Sequence, residues 1–208
     1  MAERDTVSVT AAGSAPRRVR LASWLAAAAA VLAVASCSTG TDAVDQSTGG
    51  QFRFVAGTGK GETIPAAQRK QAPAVTGLLL GGGEFDLAAQ RGNVVVLNFW
   101  ASWCAPCRVE SPEFDQVYRQ TRQQGVEFVG VNIKDLKSAA SEFVRVHKIS
   151  YPSVYDQAGK LTLAFRKAPS GLPYTIVMDK QGRVAAFYVT PLLAGDITPV
   201  VQRLAEEP

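Results

Sequence analysis

One stretch of the chain, residues 93–112, indicates both the fold and the chemistry, and it reads NVVVLNFWASWCAPCRVESP. Its first eight residues are almost all apolar, which is typical of a strand buried on both faces of an α/β sheet. Cys104 and Cys107 follow where that strand ends, and apolar residues at helical spacing from Val109 onward predict a helix ending near Gly125. Ligands and reactive groups collect at the carboxyl ends of strands in open α/β sheets. The sequence therefore predicts a functional site at this strand-to-helix junction.

The two cysteines of this junction are suited to thiol–disulfide exchange. Their three-residue spacing at a helix start places both sulfurs on one side, with Cα atoms roughly 5 Å apart, within the disulfide range. Cys104 in the first turn meets unpaired N–H groups and the positive end of the helix dipole, which favour its thiolate. Cys107 lies one turn further in and is expected to be more buried. We therefore expect Cys104 to attack a partner disulfide and Cys107 to resolve the mixed disulfide, in preference to an inert pair of buried thiols.

The remaining patterns predict an α/β order of elements after the first strand and helix. They indicate a buried strand at Val126–Ile133, a helix over residues 137–147, strands at Tyr174–Met178 and residues 183–189 joined as a hairpin, and a closing helix over residues 196–205. Upstream, Gly81-Gly82-Gly83 separates two short strand patterns at residues 75–80 and 84–87 and predicts an N-terminal hairpin.

The N-terminal 37 residues have the layout of an export signal. Arg17, Arg18 and Arg20 precede an uncharged, alanine-rich stretch over residues 21–36, which is shorter than the roughly 20 residues that span a bilayer comfortably. Val34-Ala35-Ser36-Cys37 resembles the lipobox of bacterial lipoproteins, in which the cysteine after the cleavage site is lipidated. The alternative is an uncleaved anchor with an incidental cysteine. The polar, glycine-rich residues after Cys37 are typical of a flexible tether.

Composition excludes several classes of function. Three cysteines and one histidine are too few for a four-cysteine zinc site or a disulfide-stapled scaffold. The net charge is +4, and residues 1–36 contain four arginines against two acidic residues, so the rest of the chain is nearly balanced. No basic stripe remains to bind nucleic acid.

A family resemblance rests on two motifs, the stretch from Asn98 to Pro112 and the segment Gly171-Leu-Pro-Tyr-Thr175. Together they resemble the active-site and cis-proline segments of the TlpA/ResA-type thioredoxin-like proteins, which are membrane-tethered extracytoplasmic thiol–disulfide oxidoreductases. The resemblance covers roughly residues 70–206. It implies a thioredoxin fold in the α/β class: a central mixed sheet flanked by helices, an N-terminal β-hairpin extension and a central helix–strand insertion. The implied organisation is a signal peptide over residues 1–36, a lipidated cysteine and tether over 37–69, and the domain over 70–208.

The resemblance also assigns roles to single residues. Pro173 matches the cis-proline, beside Cys104, and the backbone of Leu172 would pair with an extended substrate segment; a plain trans turn is the alternative. Glu110 matches an acidic residue that exchanges protons during catalysis, although a solvated helix glutamate is equally compatible with the sequence. Asn98 stands where cytosolic thioredoxins have a buried aspartate, so an acid–base role would move to Glu110. Trp103 would shield the sulfur and offer an apolar substrate-binding surface.

Two further aromatic residues, Trp100 and His147, have ordinary structural interpretations. Trp100 is expected in the core, and His147, at the end of an apolar helical stripe, is expected to pack there or act as a helix C-terminal cation.

The function implied by the resemblance is reduction of a specific substrate disulfide, with no cofactor and no metal. The first candidate substrate is apocytochrome c or the haem-ligation complex in cytochrome c maturation, and the electron donor would be a membrane thiol–disulfide protein of the CcdA type. The protein would act as a monomer, lipid-anchored at the extracytoplasmic face of the bacterial cytoplasmic membrane. Two alternatives stay open: a copper-delivery protein of respiratory oxidase assembly, which usually has three residues between its cysteines, and a general oxidative-folding factor. Sequence alone does not fix the direction of electron flow.

Overall fold

The structure is a computed structural model that describes residues 62–165 and 171–208. The predicted signal peptide, Cys37 and most of the predicted tether lie outside the described residues. Within the two described ranges, no helix has the length and apolar character needed to cross a membrane.

A six-stranded mixed sheet forms the centre of the domain, as the fold prediction requires. The described residues contain eight strands, of which six form this sheet: Glu62–Thr63 (β1), Thr76–Leu78 (β2), Glu84–Asp86 (β3), Val94–Trp100 (β4), Val126–Ile133 (β5), Ser153–Asp156 (β6), Tyr174–Met178 (β7) and Val184–Tyr188 (β8). The order in the central sheet is β1–β8–β7–β4–β5–β6. Strands β4, β5 and β6 are parallel, whereas β7 is antiparallel to β4 and to β8, and β1 is antiparallel to β8. Every residue of β4 is buried, which explains its unbroken apolar run.

The predicted N-terminal hairpin is formed by β2 and β3, which pair as a separate two-stranded sheet. Gly82 and Gly83 in its turn have φ values of +95° and +86°, in the left-handed region where a side chain would strain the backbone. A bridge between Leu79 and Val154 fastens the hairpin beside β6. The hairpin therefore extends the fold at the β6 side of the sheet.

Among the described residues, four α-helices cover the sheet: Ala105–Thr121 (α1), Lys137–Val146 (α2), Lys160–Ala164 (α3) and Ala194–Glu206 (α4). Alternate residues of β4 contribute to two apolar clusters, one on each face of the sheet. The first contains buried residues of α1, α2 and α4 together with both cysteines of the junction. The second contains residues of the hairpin and of α3. The implied central insertion is formed by α2 and β6.

One edge of the sheet brings the predicted site together. The parallel strands β4 and β5 end there, at Trp100 and Ile133, and β6 ends beside them. Strand β7 runs the opposite way, and Tyr174 at its start pairs with Phe99. The loops after β4, β5 and β6 and the segment before β7 therefore share this edge, which we call the catalytic edge.

Candidate active site

The cysteine pair lies at the N-terminus of α1, as predicted. Cys104 is the N-cap residue, and its Sγ accepts a hydrogen bond from the backbone N–H of Cys107 at 3.2 Å. The two residues form a disulfide with a Cα–Cα distance of 5.3 Å. Cys104 is 4% exposed and Cys107 is fully buried. A partner can therefore reach Cys104 first, and Cys107 is placed to attack Cys104 from the inner side.

Pro173 and Leu172 lie at the catalytic edge, immediately before β7. The Leu172–Pro173 peptide bond is cis, which is the geometry expected for Pro173 from the sequence. Pro173 is buried, and the half-buried side chain of Leu172 packs against both apolar clusters. The substrate-binding role of these two residues stays a prediction.

Glu110 is fully buried in α1, one turn beyond Cys107, rather than solvated. Its Oε1 accepts the backbone N–H of Leu192 at 2.9 Å, and its Oε2 accepts the side-chain amide of Asn98 at 2.7 Å. Burial raises the pKa of Glu110 to about 7, because desolvation outweighs these two hydrogen bonds, which favour the carboxylate. Glu110 can therefore take up or release a proton at neutral pH.

Asn98 connects Glu110 to the strand that follows Pro173. Its Nδ2 donates to Thr175 Oγ1 at 3.1 Å as well as to Glu110, and Asn98 and Thr175 are paired across β4 and β7. All three side chains are buried. The side-chain amide of Asn98 thus donates a hydrogen bond to Glu110. A buried aspartate at the same position would instead compete with Glu110 for a proton.

A second set of contacts lies behind Cys107. Ser111 Oγ donates to the carbonyl oxygen of Cys107 at 2.8 Å, and Ser111 also hydrogen-bonds the hydroxyl of Tyr151. Tyr151 is buried, and its burial raises the pKa of its phenol well above the usual value. The phenol therefore stays protonated at neutral pH.

Trp103 is exposed beside Cys104, in agreement with its expected position. Its side chain is 58% exposed, and its Nε1–H donates to the carbonyl oxygen of Lys134 at 3.0 Å. The ring is therefore held against the loop after β5 rather than free in solvent. By contrast, Trp100 lies in the core, and the ring of His147 packs on Phe143 with centroids 4.4 Å apart, as expected.

Asp135, which the sequence analysis did not single out, fastens the loops of the catalytic edge to each other. Its buried carboxylate accepts hydrogen bonds from the N–H of Ser102 at 2.6 Å and the hydroxyl of Ser102 at 2.8 Å. It also accepts from the amide of Asn132 at 2.9 Å and the N–H of Leu136 at 2.8 Å. Reactive groups collect at the carboxyl ends of strands in open α/β sheets, which is the rule that predicted the cysteine site. Asp135 follows the carboxyl end of the second buried strand, so the same rule could have identified it.

Residues 62–165 and 171–208 contain no group of three or more His, Cys, Asp or Glu side chains that could hold a metal ion. The predicted site residues of this part of the chain all lie at or near the catalytic edge. Cys37 is the one predicted site residue outside the described residues.

Comparisons with known proteins agree with this arrangement. The AhpC/TSA family matches residues 69–187. The thiol-disulfide oxidoreductase ResA of Geobacillus kaustophilus is 34% identical over 118 residues, which are 57% of this chain and 67% of that protein. A secreted thiol-disulfide isomerase from Corynebacterium glutamicum has a similar structure, with a TM-score of 0.71 and 31% identity over 76% of this chain and 98% of that one. A DsbF homologue from Corynebacterium diphtheriae has a TM-score of 0.69 and 33% identity over 74% and 98% of the two chains.

The family match covers more than half of the chain and includes β4, α1, β5 and the cis-proline segment. The similar proteins share a thioredoxin-like architecture and are named for thiol–disulfide chemistry. The same chemistry follows independently from the disulfide at the N-terminus of α1. The chain therefore belongs to the AhpC/TSA family and is a thioredoxin-like thiol–disulfide oxidoreductase related to ResA.

Proposed function

We propose that this oxidoreductase is anchored by a lipid on Cys37 at the extracytoplasmic face of the bacterial cytoplasmic membrane and reduces one class of substrate disulfide. Our first choice of substrate is apocytochrome c, or a component of the haem-ligation complex. The observation that carries the proposed chemistry is the asymmetry of the site: Cys104 caps α1, Cys107 is buried one turn further in, and Glu110 lies one turn beyond it. The choice of substrate rests on the motifs of residues 98–112 and 171–175 and on the lipobox.

In the proposed cycle, the reduced cysteine pair supplies two electrons. The Cys104 thiolate attacks one sulfur of the substrate disulfide, and the other substrate sulfur leaves as a thiolate. The Cys107 thiol then loses its proton and attacks the Sγ of Cys104, which releases the second substrate sulfur as a thiolate. The pair is left as the disulfide, and a membrane thiol–disulfide donor of the CcdA type reduces it again with two electrons.

Glu110 supports the resolving step of this cycle. The Cys107 thiol is fully buried and needs a nearby acceptor for its proton. With a pKa of about 7, Glu110 accepts that proton as a carboxylate and returns it later without a large free-energy cost at neutral pH. Its position one helical turn from Cys107 makes it the proposed proton acceptor.

The substrate is proposed to bind as an extended segment along the backbone of Leu172, next to the cis bond. Trp103 offers an exposed apolar surface on the other side of the Cys104 loop. In this mode main-chain hydrogen bonds provide affinity, and side-chain contacts provide specificity.

A trapping experiment tests the proposed substrate. Cys107→Ser removes the resolving thiol, so we expect the mixed disulfide on Cys104 to accumulate in cells, where mass spectrometry identifies the captured partner. The matched control is Cys104→Ser, which keeps one thiol but should capture no partner. Capture of apocytochrome c or haem-ligation proteins supports the proposal, whereas capture of many unrelated secreted proteins contradicts it.

The reduction potential tests the direction of electron flow. A reductase is expected to have a potential near that of thioredoxin, about −270 mV, and a strong oxidant near that of DsbA, about −120 mV. Equilibration of the cysteine pair with glutathione or dithiothreitol buffers measures it. A value near the second figure would favour the other candidate function, a general oxidative-folding factor, which has support from the isomerase name of the Corynebacterium glutamicum structure.

A further inference from the structure

Two large apolar side chains are exposed in two loops of the catalytic edge that hydrogen bonds join to each other. Trp103 precedes Cys104 in the loop after β4, and Leu136, which is 66% exposed, lies in the loop after β5. The loops are joined through Asp135, which binds Ser102 on one side and the N–H of Leu136 on the other. Exposed apolar groups that are already ordered cost little further entropy when a partner covers them.

The exposed charges of these loops have one sign. Arg108 lies in the first turn of α1, Lys134 and Lys137 flank Leu136, and Lys160 follows β6; all four are exposed. The acidic residues nearby are Asp135, in the loop after β5, and Asp156, at the end of β6, and both are buried. Asp135 accepts the N–H of Leu136, and Asp156 accepts the N–H groups of Lys160 and Leu161 at the start of α3.

Two acidic side chains lie where α1 meets the N-terminus of α4. Glu113 accepts the N–H of Ala194, and Asp196 accepts the N–H of Leu193, so both serve the N-terminus of α4. The α2 side of the catalytic edge is therefore positive and apolar, and the α4 side carries the negative charge.

We propose that Trp103, Leu136, Lys134, Lys137 and Lys160 form a docking surface for an acidic segment of the protein substrate, with an apolar side chain of that segment on Trp103 and Leu136. This docking surface rests on the proposed function, because its partner is the substrate of the exchange reaction. Complementary charge would speed encounter with the substrate, and the apolar pair would place the substrate disulfide beside Cys104. The surface selects among protein substrates and does not alter the exchange chemistry.

The test compares peptide substrates that differ only in charge. The reduced full-length chain in neutral detergent is mixed with two peptides that contain the same disulfide and leucine, flanked by glutamates in one and by lysines in the other. At low ionic strength we expect the glutamate peptide to oxidise the protein at least tenfold faster, and we expect the preference to collapse in about 0.5 M salt. Rapid acid quenching and chromatography of the thiols measure both rates.

Charge reversal assigns the preference to the docking surface. The double variant Lys134→Glu/Lys137→Glu is expected to lose the preference for the glutamate peptide. The matched control is Lys70→Glu/Lys148→Glu, the same change in net charge at two exposed lysines away from these loops, and it should keep the wild-type preference. Leu136→Ser, which leaves the charges in place, should slow both peptides by a similar factor.

Any one of three results would contradict the proposed docking surface. The two peptides could oxidise the wild-type protein at equal rates, or the Lys134→Glu/Lys137→Glu variant could keep the preference for the glutamate peptide. The third result is that the Lys70→Glu/Lys148→Glu control loses this preference as fully as the Lys134→Glu/Lys137→Glu variant. If the peptides react equally and the Lys134→Glu/Lys137→Glu variant instead loses binding to phosphatidylglycerol vesicles, the surface binds lipid and the proposal is wrong. A small neutral disulfide distinguishes failure of the docking surface from failure of the proposed function. If the wild-type protein does not reduce this small disulfide, the proposed function itself is contradicted.

Discussion

Glu110→Gln is expected to abolish a pH-dependent loss of stability of about 3 kcal/mol in the oxidised protein. Burial raises the pKa of Glu110 to about 7, whereas the unfolded chain has a value of 4.5. At about 1.4 kcal/mol for each tenfold change in proton affinity, the difference corresponds to about 3 kcal/mol. Between the two pKa values the folded state binds the proton and the unfolded state does not, so the free energy of unfolding falls as pH rises. The loss begins above about pH 4.5 and is complete above about pH 7.

Denaturant unfolding of the oxidised protein between pH 4 and 8.5 measures this loss. In the disulfide form neither Cys104 nor Cys107 titrates, so the wild-type curve minus the Glu110→Gln curve isolates the glutamate. Any constant offset from rearranged hydrogen bonds to Asn98 and Leu192 cancels in the pH dependence of that difference. The control is Glu142→Gln, at an exposed glutamate whose pairing with Arg145 lowers its pKa, so its difference curve should show no fall between pH 4.5 and 7. A flat difference curve for Glu110→Gln would contradict the assigned pKa.

The same variant is expected to slow resolution of the mixed disulfide by about 10²-fold, a usual contribution of a positioned proton acceptor. Glutamine occupies nearly the same volume but cannot take the proton of Cys107. Attack by Cys104 on a small disulfide should change much less than resolution, which separates proton transfer from general disruption. If resolution proceeds at the wild-type rate at pH 7, Glu110 is not the proton acceptor.

The sequence predicted those parts of the site that lie close together along the chain. The buried strand, Cys104, Cys107 and the helix they begin form one continuous segment, and the hydrophobic pattern and the cysteine spacing both act locally. Pro173 was identified because its motif is short and distinctive. The burial of Glu110 could not be predicted in the same way, because one of its two donors is the N–H of Leu192, which lies 82 residues further along the chain.

Other features were missed for related physical reasons. Strand β1 has two residues and α3 has five, which is too short for a period of two or of 3.6 residues to be recognised. No local pattern distinguishes Asp135 from other loop aspartates, because its donors at Ser102 and Asn132 converge only when β4 and β5 pair in register. Tertiary contacts therefore decide which polar side chains are buried and functional, whereas local patterns decide where the elements lie.

Asp135→Ala is expected to lower the free energy of unfolding by about 3 kcal/mol, because four donors lose a buried carboxylate acceptor and water reaches only some of them. Ser102→Ala is the graded control, since it removes one of these hydrogen bonds and should cost about 1 kcal/mol. Urea unfolding of the two oxidised variants beside the wild type measures both losses.

A local measurement shows whether the loss falls on the catalytic edge. The amides of Ser102 and Leu136 both donate to Asp135, so their hydrogen exchange should accelerate in Asp135→Ala by more than the global loss of stability requires. Amides in the middle of β4 and β5 should accelerate only as far as the global loss requires. Uniform acceleration throughout the sheet would contradict a local role. Because Ser102 lies two residues before Cys104 and Leu136 belongs to the proposed docking surface, selective loosening of these two amides would mean that one carboxylate holds both loops in place.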